Sequence, residues 1–285
     1  MAVVISEKDY RSFLFAIKQS SQYDLSDYSD KSLKRRIAKV LADNRKDIGV
    51  LTSEIRKNSD FLEKIVKDIT VNTTELFRDP DVWQNIRYNI LPLLEGYSTI
   101  NIWHAGCSSG QEVYSMLILL NEAGLLDKAR IFATDINSDM LDAAKGGVYK
   151  YRFNIGYLDN FDKVIRENPL NYDEFRDVPY SKYFDIDKES DTLRIKPFLL
   201  EKPVFRKHDL VSGKNVHISK FDLVICRNVI IYFNYSLQTR IFELFYESLH
   251  PEGVLVLGMH ETMTGTIASR FTKSGSFYIK GKQKG

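Results

Sequence analysis

Residues 101–115 read Asn-Ile-Trp-His-Ala-Gly-Cys-Ser-Ser-Gly-Gln-Glu-Val-Tyr-Ser, an apolar strand, a turn of small residues and the start of a helix predicted over 111–120. In the turn, Gly106, Ser108, Ser109 and Gly110 allow the backbone to approach a ligand closely, and the helix N-terminus behind it offers amides to an anion. The spacing is G-x-x-x-G rather than G-x-G-x-x-G, which argues against a pyrophosphate-binding dinucleotide loop. One strand later, Ile131-Phe132-Ala133-Thr134-Asp135-Ile136 puts a carboxylate at the carboxyl end of a buried strand, where open α/β sheets hold a ribose by its hydroxyls. A nucleoside site without a pyrophosphate loop points to S-adenosylmethionine. Taken alone, the two segments fit equally an ordinary glycine-rich βα turn beside a surface aspartate.

The chain has 285 residues, enough for one large domain with an appendage or for two smaller ones. Hydrophobic residues make up 44% and charged residues 27%, and no apolar run approaches the ~20 residues of a membrane span, so a soluble globular protein is expected. The first residues lack a basic segment followed by a long apolar stretch; no signal peptide is expected, and a cytoplasmic location is. Cys107 and Cys226 both fall at strand ends and are expected to be reduced packing residues. A formal charge of +2 gives no argument for nucleic acid. The five histidines, at 104, 208, 217, 250 and 260, have no metal-ligand spacing, so no metal is expected.

Before residue 70 the apolar residues recur at helical spacing, as Phe13, Phe15 and Ile17, then Leu33, Ile37, Val40 and Leu41, then Phe61, Leu62, Ile65, Val66 and Ile69. After Thr99 the pattern changes to repeated strand, turn and helix, which implies a parallel sheet with helices on both faces. Strands are predicted over 100–103, 131–136, 221–226 and 253–259, with residues 277–279 as a returning edge strand. Residues 148–204 break this rhythm; 183–186 and 192–195 look like a β-hairpin within an insertion. The domains expected are a helical one over 1–75 and an α/β one over 76–285, interrupted at about 148–204.

A third segment, Asp222-Leu223-Val224-Ile225-Cys226-Arg227-Asn228-Val229-Ile230-Ile231-Tyr232-Phe233, is a buried strand ending in Arg-Asn and an apolar turn. The Asn-Pro-Pro-Tyr of many amine-methylating enzymes is absent there, which turns the expected acceptor away from adenine, cytosine or glutamine nitrogens. Together with Asn72-Thr73-Thr74-Glu75-Leu76-Phe77-Arg78-Asp79, the glycine turn and Thr134-Asp135-Ile136, this segment closely resembles the chemotaxis receptor glutamate methyltransferases of the CheR type. The resemblance covers nearly the whole chain. It implies a mostly parallel, doubly wound α/β sheet of the class I S-adenosylmethionine methyltransferase kind, with a small all-helical N-terminal domain and a β-rich insertion.

Residue by residue, the resemblance implies that Asn72, Thr74 and Arg78 help enclose S-adenosylmethionine or its product S-adenosylhomocysteine. Gly106 lies in the cofactor turn, Glu112 meets the methionine end, Asp135 takes the ribose hydroxyls, and Arg227 and Asn228 line the methionine side. Arg78 and Tyr232 match the residues assigned to the reacting centre. Beside the adenine the family has Asn-Leu, whereas this chain has Asp209-Leu210; an aspartate cannot donate to a ring nitrogen, so that bond falls to the Leu210 amide. His104, Gln111 and Val113 also replace the commoner Ser, Glu and Pro, and residues 157–180 are longer than usual.

The activity implied is methyl transfer to glutamate carboxylates of chemoreceptor-like proteins, giving methyl esters. The alternatives are a cofactor-sensing regulatory module without turnover, and methylation of another protein carboxylate. Lys31, Lys34, Arg35, Arg36 and Lys39 concentrate positive charge on one helix, a surface suited to an acidic helical substrate. No nucleic acid is expected as a partner, contact with a membrane is expected only through the substrate, and the chain is expected to be a monomer.

Overall fold

The computed structural model describes residues 5–213 and 219–281. Within them the chain divides into two compact units. One comprises the described parts of Met1–Val71, Asp209–Lys214 and Val229–Leu244; the other comprises Asn72–His208 with the described parts of Asn215–Asn228 and Phe245–Gly285.

The first unit is helical, with helices Glu7–Ser20, Asp30–Asn44, Ile48–Ile55 and Ser59–Ile69. Their starts are set by side-chain caps: Ser6 accepts from the Asp9 amide at 3.1 Å, Asp47 from Val50 at 2.9 Å and Asn58 from Phe61 at 3.0 Å. The buried positions Phe13 and Ile17, Leu33, Ile37 and Leu41, and Leu62, Ile65, Val66 and Ile69 follow the expected spacing. Phe15 does not. Two residues from both Phe13 and Ile17, it lies round the helix from them and is exposed. A late segment completes this unit: the Ser29 amide donates to the Tyr232 carbonyl at 2.8 Å, the Asn234 amide to the Asp27 carbonyl at 2.8 Å, and Tyr28 packs edge-on against Phe233.

The second unit is built on strands β1 (Ile100–Ala105), β2 (Ala129–Asp135), β3 (Val148–Lys150), β4 (Phe184–Asp187), β5 (Thr192–Ile195), β6 (Pro203–Lys207), β7 (Phe221–Cys226), β8 (Leu249–Leu257), β9 (Phe271–Ser274) and β10 (Phe277–Lys280). The larger sheet has the order β6-β2-β1-β7-β8-β10-β9. β6, β2, β1, β7 and β8 are mutually parallel, while β10 runs antiparallel to both β8 and β9. The strand order reverses between β1 and β7, so a crevice opens beyond their carboxyl ends, where ligands of such sheets bind. Residues 277–279 are therefore an interior strand rather than an edge. Gly275, with φ +59°, turns the chain so that β9 closes the sheet outside β10.

The expected hairpin is β4 and β5, antiparallel with Phe184 opposite Ile195. β3 joins β5 to complete a separate three-stranded sheet, too short a strand to be read from alternation. Gly147, in the left-handed region at φ +55°, precedes β3; a Cβ there would collide with Leu200 Cδ2. Residues 203 and 204, counted at the end of the insertion, instead begin β6, the edge strand beside β2.

Phe161 joins this small sheet to the rest of the unit. Fully buried, it packs edge-on against Phe77, Tyr180 and Phe184, with ring centroids 5.8, 5.3 and 5.9 Å away. Phe161→Ala leaves a cavity among rings that cannot collapse together, and is expected to cost about 3–5 kcal/mol, against roughly 1 kcal/mol for Phe161→Leu. Urea unfolding of the three proteins checks this; equal midpoints would show that the cluster contributes no packing energy.

Candidate active site

The turn after β1 is shaped by its own backbone. The Gly106 and Cys107 amides both donate to the Thr134 carbonyl of β2, at 2.8 and 2.9 Å, and the Gly110 amide closes the turn on the Cys107 carbonyl at 3.0 Å. Gly106, Ser108 and Gly110 have φ of +85°, +50° and +88°. A Cβ on Gly110 would lie 2.8 Å from Ala144 Cβ, so glycine is required there by space as well as by conformation. Tyr149 of β3 donates to the Ser109 carbonyl at 2.7 Å, and the Ser108 hydroxyl to the Asn72 carbonyl at 3.0 Å. Thr74 follows two residues later, half-buried. Both cysteines are buried, and burial pushes their thiols well above the ordinary range, which suits packing and not nucleophilic chemistry.

Asp135 ends β2 with both carboxylate oxygens anchored. One accepts the Ser108 amide at 2.8 Å and the other the Asn137 amide at 2.9 Å. Burial raises its pKa, and the amides of Asn137, Ser108 and Ile136 pull against that shift. Each carboxylate oxygen has a second lone pair, so a residue held in this way retains acceptors for a diol.

Glu112, in the first turn of helix Gln111–Glu122, is held from two sides. Its Oε1 lies 3.1 Å from His104 Nδ1 and its Oε2 3.3 Å from Arg227 Nη1. Arg227 is a hub: Nη2 donates to the Arg78 carbonyl at 2.7 Å and to Asp79 Oδ2 at 2.8 Å, and the guanidinium lies over the Trp83 ring. Its guanidinium is thus committed to protein groups that position Glu112 and residues 78–79.

Those residues sit in a strained turn. Phe77 and Asp79 have φ of +49° and +57°. The turn is held by the Ser115 hydroxyl, which accepts from the Phe77 amide at 2.8 Å, and by Trp83 Nε1, which donates to the Arg78 carbonyl at 3.0 Å. Arg78 itself is half-buried, and among the described residues its guanidinium has no hydrogen bond or ion pair. It contrasts in this with Arg227.

Beyond β7, Asn228 is in the left-handed region at φ +60°, and its amide donates to Glu261 Oε2 at 2.8 Å. The Gly258 amide donates to the same oxygen at 2.8 Å, and a Cβ on Gly258 would come within 3.0 Å of the Asn228 nitrogen. No sequence motif marks Glu261, which follows β8 in a loop; its role is visible only in these two buried bonds. Asp209, Leu210 and Tyr232 belong to the helical unit. Asp209 accepts from the Val211 amide at 2.9 Å and starts a short 3-10 turn, Leu210 is buried, and Tyr232 is half-buried.

Burial pushes the Glu112 carboxyl upward, but the His104 hydrogen bond and the Arg227 charge outweigh it and hold it below the ordinary range. A folded value below the unfolded one means that the ionised form adds stability above about pH 4.3, and that this is lost as pH falls through the folded value. Glu112→Gln is therefore expected to lose less stability than the native chain on acidification from about pH 4.3. Urea midpoints measured down that range check this; identical acid limbs would mean that the pairing is ineffective.

The sequence profile described as "CheR methyltransferase, SAM binding domain" matches residues 72–159 and 170–278. A "Putative methyltransferase Cher3" of Pseudomonas putida is 35% identical over 256 residues, covering 90% of this chain and 89% of its own. A "Chemotaxis protein methyltransferase" of Listeria innocua is 29% identical, covering 96% and 98%, and a "Chemotaxis protein methyltransferase 1" of Vibrio cholerae is 28% identical, covering 93% and 92%. With its glycine turn, strand-end aspartate and post-β7 turn in the matched region, the chain belongs to the CheR methyltransferase family.

Proposed function

We propose that the chain transfers a methyl group from S-adenosylmethionine to glutamate side chains of a cytoplasmic, chemoreceptor-like helical protein. The observation that carries this reading is a pair of anchored carboxylates, Asp135 at the end of β2 and Glu112 in the first turn of the helix after β1. Asp135 has acceptors for a ribose diol, and Glu112, kept ionised, suits the ammonium of an amino acid; the two meet the needs of a nucleoside joined to methionine. The relatives named for chemotaxis support the substrate class.

The sulfonium of S-adenosylmethionine supplies a methyl carbon bound to a good leaving group. A glutamate acceptor titrates near pH ~4.3 and is already an anion at neutral pH, so the protein need supply no general base. With the cofactor bound, the acceptor oxygen would take the methyl carbon while the carbon–sulfur electron pair left on sulfur, and the chain would have no proton to move. What falls to the chain is alignment and exclusion of water. Arg78, with a guanidinium committed to no anion among the described residues, suits orientation of an incoming carboxylate, and Tyr232 suits a hydrogen bond at the reacting centre.

The test is transfer of labelled methyl to receptor-bearing membranes, with base lability separating ester from amide. Asp135→Ala is expected to weaken S-adenosylhomocysteine binding at least tenfold, from loss of hydrogen bonds to a charged acceptor worth about 1.5 kcal/mol or more. Tyr232→Phe is expected to leave that affinity within about twofold while lowering turnover. Full turnover in Tyr232→Phe would remove it from the reacting centre, and stoichiometric binding without any transfer would favour a sensor.

The partner surface is narrower than the basic run in the sequence. Lys31, Arg35 and Lys39 are exposed and four residues apart, so they share one face of helix Asp30–Asn44. Lys34 is instead paired with Glu7 at 2.7 Å and lies over the Tyr10 ring. We assign the exposed stripe to steering an acidic helical substrate. Arg35→Glu with Lys39→Glu is expected to raise the apparent substrate constant and flatten its salt dependence, leaving cofactor affinity unchanged. Methylation kinetics across a salt series check it, and an unaltered substrate constant would exclude this face.

A further inference from the structure

Above, His104 enters only through its contact with Glu112, at one ring nitrogen. It lies in β1 between Ala133 of β2 and Ile225 of β7 and has no access to solvent. Its Nδ1 is 3.1 Å from Glu112 Oε1, whereas its Nε2 is buried with no hydrogen-bond partner among the described residues. The tautomer follows from these two facts. With the proton on Nε2, a buried donor would go unmet and the Nδ1 lone pair would face a carboxylate oxygen; with the proton on Nδ1, the imidazole donates to Glu112 and only a lone pair is left at Nε2.

We propose that His104 is a positioning residue whose Nδ1–H fixes the direction of the Glu112 carboxylate and thereby sets affinity for the ammonium-bearing end of the cofactor. The proposal rests on the reading of Glu112 as the partner of that ammonium. Glu112 is tethered through one oxygen to Arg227 and through the other to His104, which removes its freedom to rotate. The Arg227 charge is already shared with Asp79. A neutral donor on the second oxygen orients the anion without a second full positive charge competing with the ligand's own.

Two ligands distinguish positioning from packing. S-adenosylhomocysteine carries the ammonium; 5′-methylthioadenosine has the same nucleoside without it. His104→Leu is expected to weaken the first about tenfold and the second by less than about twofold, as fits loss of one hydrogen bond to a charged group. His104→Asn, whose amide N–H occupies the place of Nδ1–H, is expected to restore most of the affinity, and His104→Gln, whose amide extends toward the place of Nε2, is not. Glu112→Gln separates the two readings, since it must itself reduce discrimination between the ligands. Calorimetric titration of both ligands into the full chain, with melting curves for each variant, reads these outcomes. Equal weakening of both ligands in His104→Leu, or failure of His104→Asn to recover where His104→Gln does, would overturn the proposal for His104 alone. Unchanged discrimination in Glu112→Gln would overturn the assignment of Glu112 and the proposal with it. Should His104→Leu not fold, the contrast between His104→Asn and His104→Gln decides.

Discussion

A single buried cation, Arg227, organises the candidate-site side of the sheet unit. The Arg227 guanidinium is almost wholly removed from water, and such a charge is tolerable only if it is paired and hydrogen-bonded. Asp79, the Arg78 carbonyl and Glu112 meet that requirement at Nη1 and Nη2, while Nε is buried without a hydrogen-bond partner among the described residues, and each of the three comes from a different part of the chain than Arg227 itself. The same bonds that satisfy the charge hold the turn that carries Arg78 and one oxygen of Glu112. Stability and site geometry are here one set of contacts, so removing one partner would leave a buried charge uncompensated and the turn unsupported at once.

Backbone strain gathers around this hub. Of the non-glycine residues with positive φ, Phe77, Asp79, Ser108 and Asn228 all flank the proposed cofactor loops. Each such conformation costs of order 1–3 kcal/mol and persists only where neighbouring bonds impose it. They are present: Ser115 on the Phe77 amide, Arg227 on the Asp79 carboxylate, Asp135 on the Ser108 amide, Glu261 on the Asn228 amide. In this way buried side chains convert conformational cost into fixed directions for the groups that face the crevice. Two carboxylates a strand apart thereby come to differ, Asp135 raised by burial and Glu112 lowered by its partners.

The division of labour between the two arginines illustrates a wider point about reading roles from motifs. Arg227 and Arg78 both stand in recognisable motifs, and a motif records residue type and order but not what a side chain touches. Only the structure distinguishes the arginine consumed by internal pairing from the one without an anionic partner among the described residues. The basic helix is similar: five cations are legible, but the ion pair of Lys34 with Glu7 depends on the neighbouring helix.

The sequence by itself determined the elements whose signal is local. The apolar runs of β1, β2 and β7, the glycine turn and the strand-end aspartate all follow from periodicity and turn chemistry within a few residues. Tertiary structure decided what depends on partners distant in the chain. The order of β10 and β9, the third strand of the small sheet, the exposure of Phe15 and the joining of residues 229–244 to the helical unit are outcomes of pairing and packing, which no local pattern encodes. Glu261 and His104 belong with these. Their chemistry comes from burial beside a particular amide and a particular carboxylate, contacts that exist only once strands and loops far apart in sequence have been brought together.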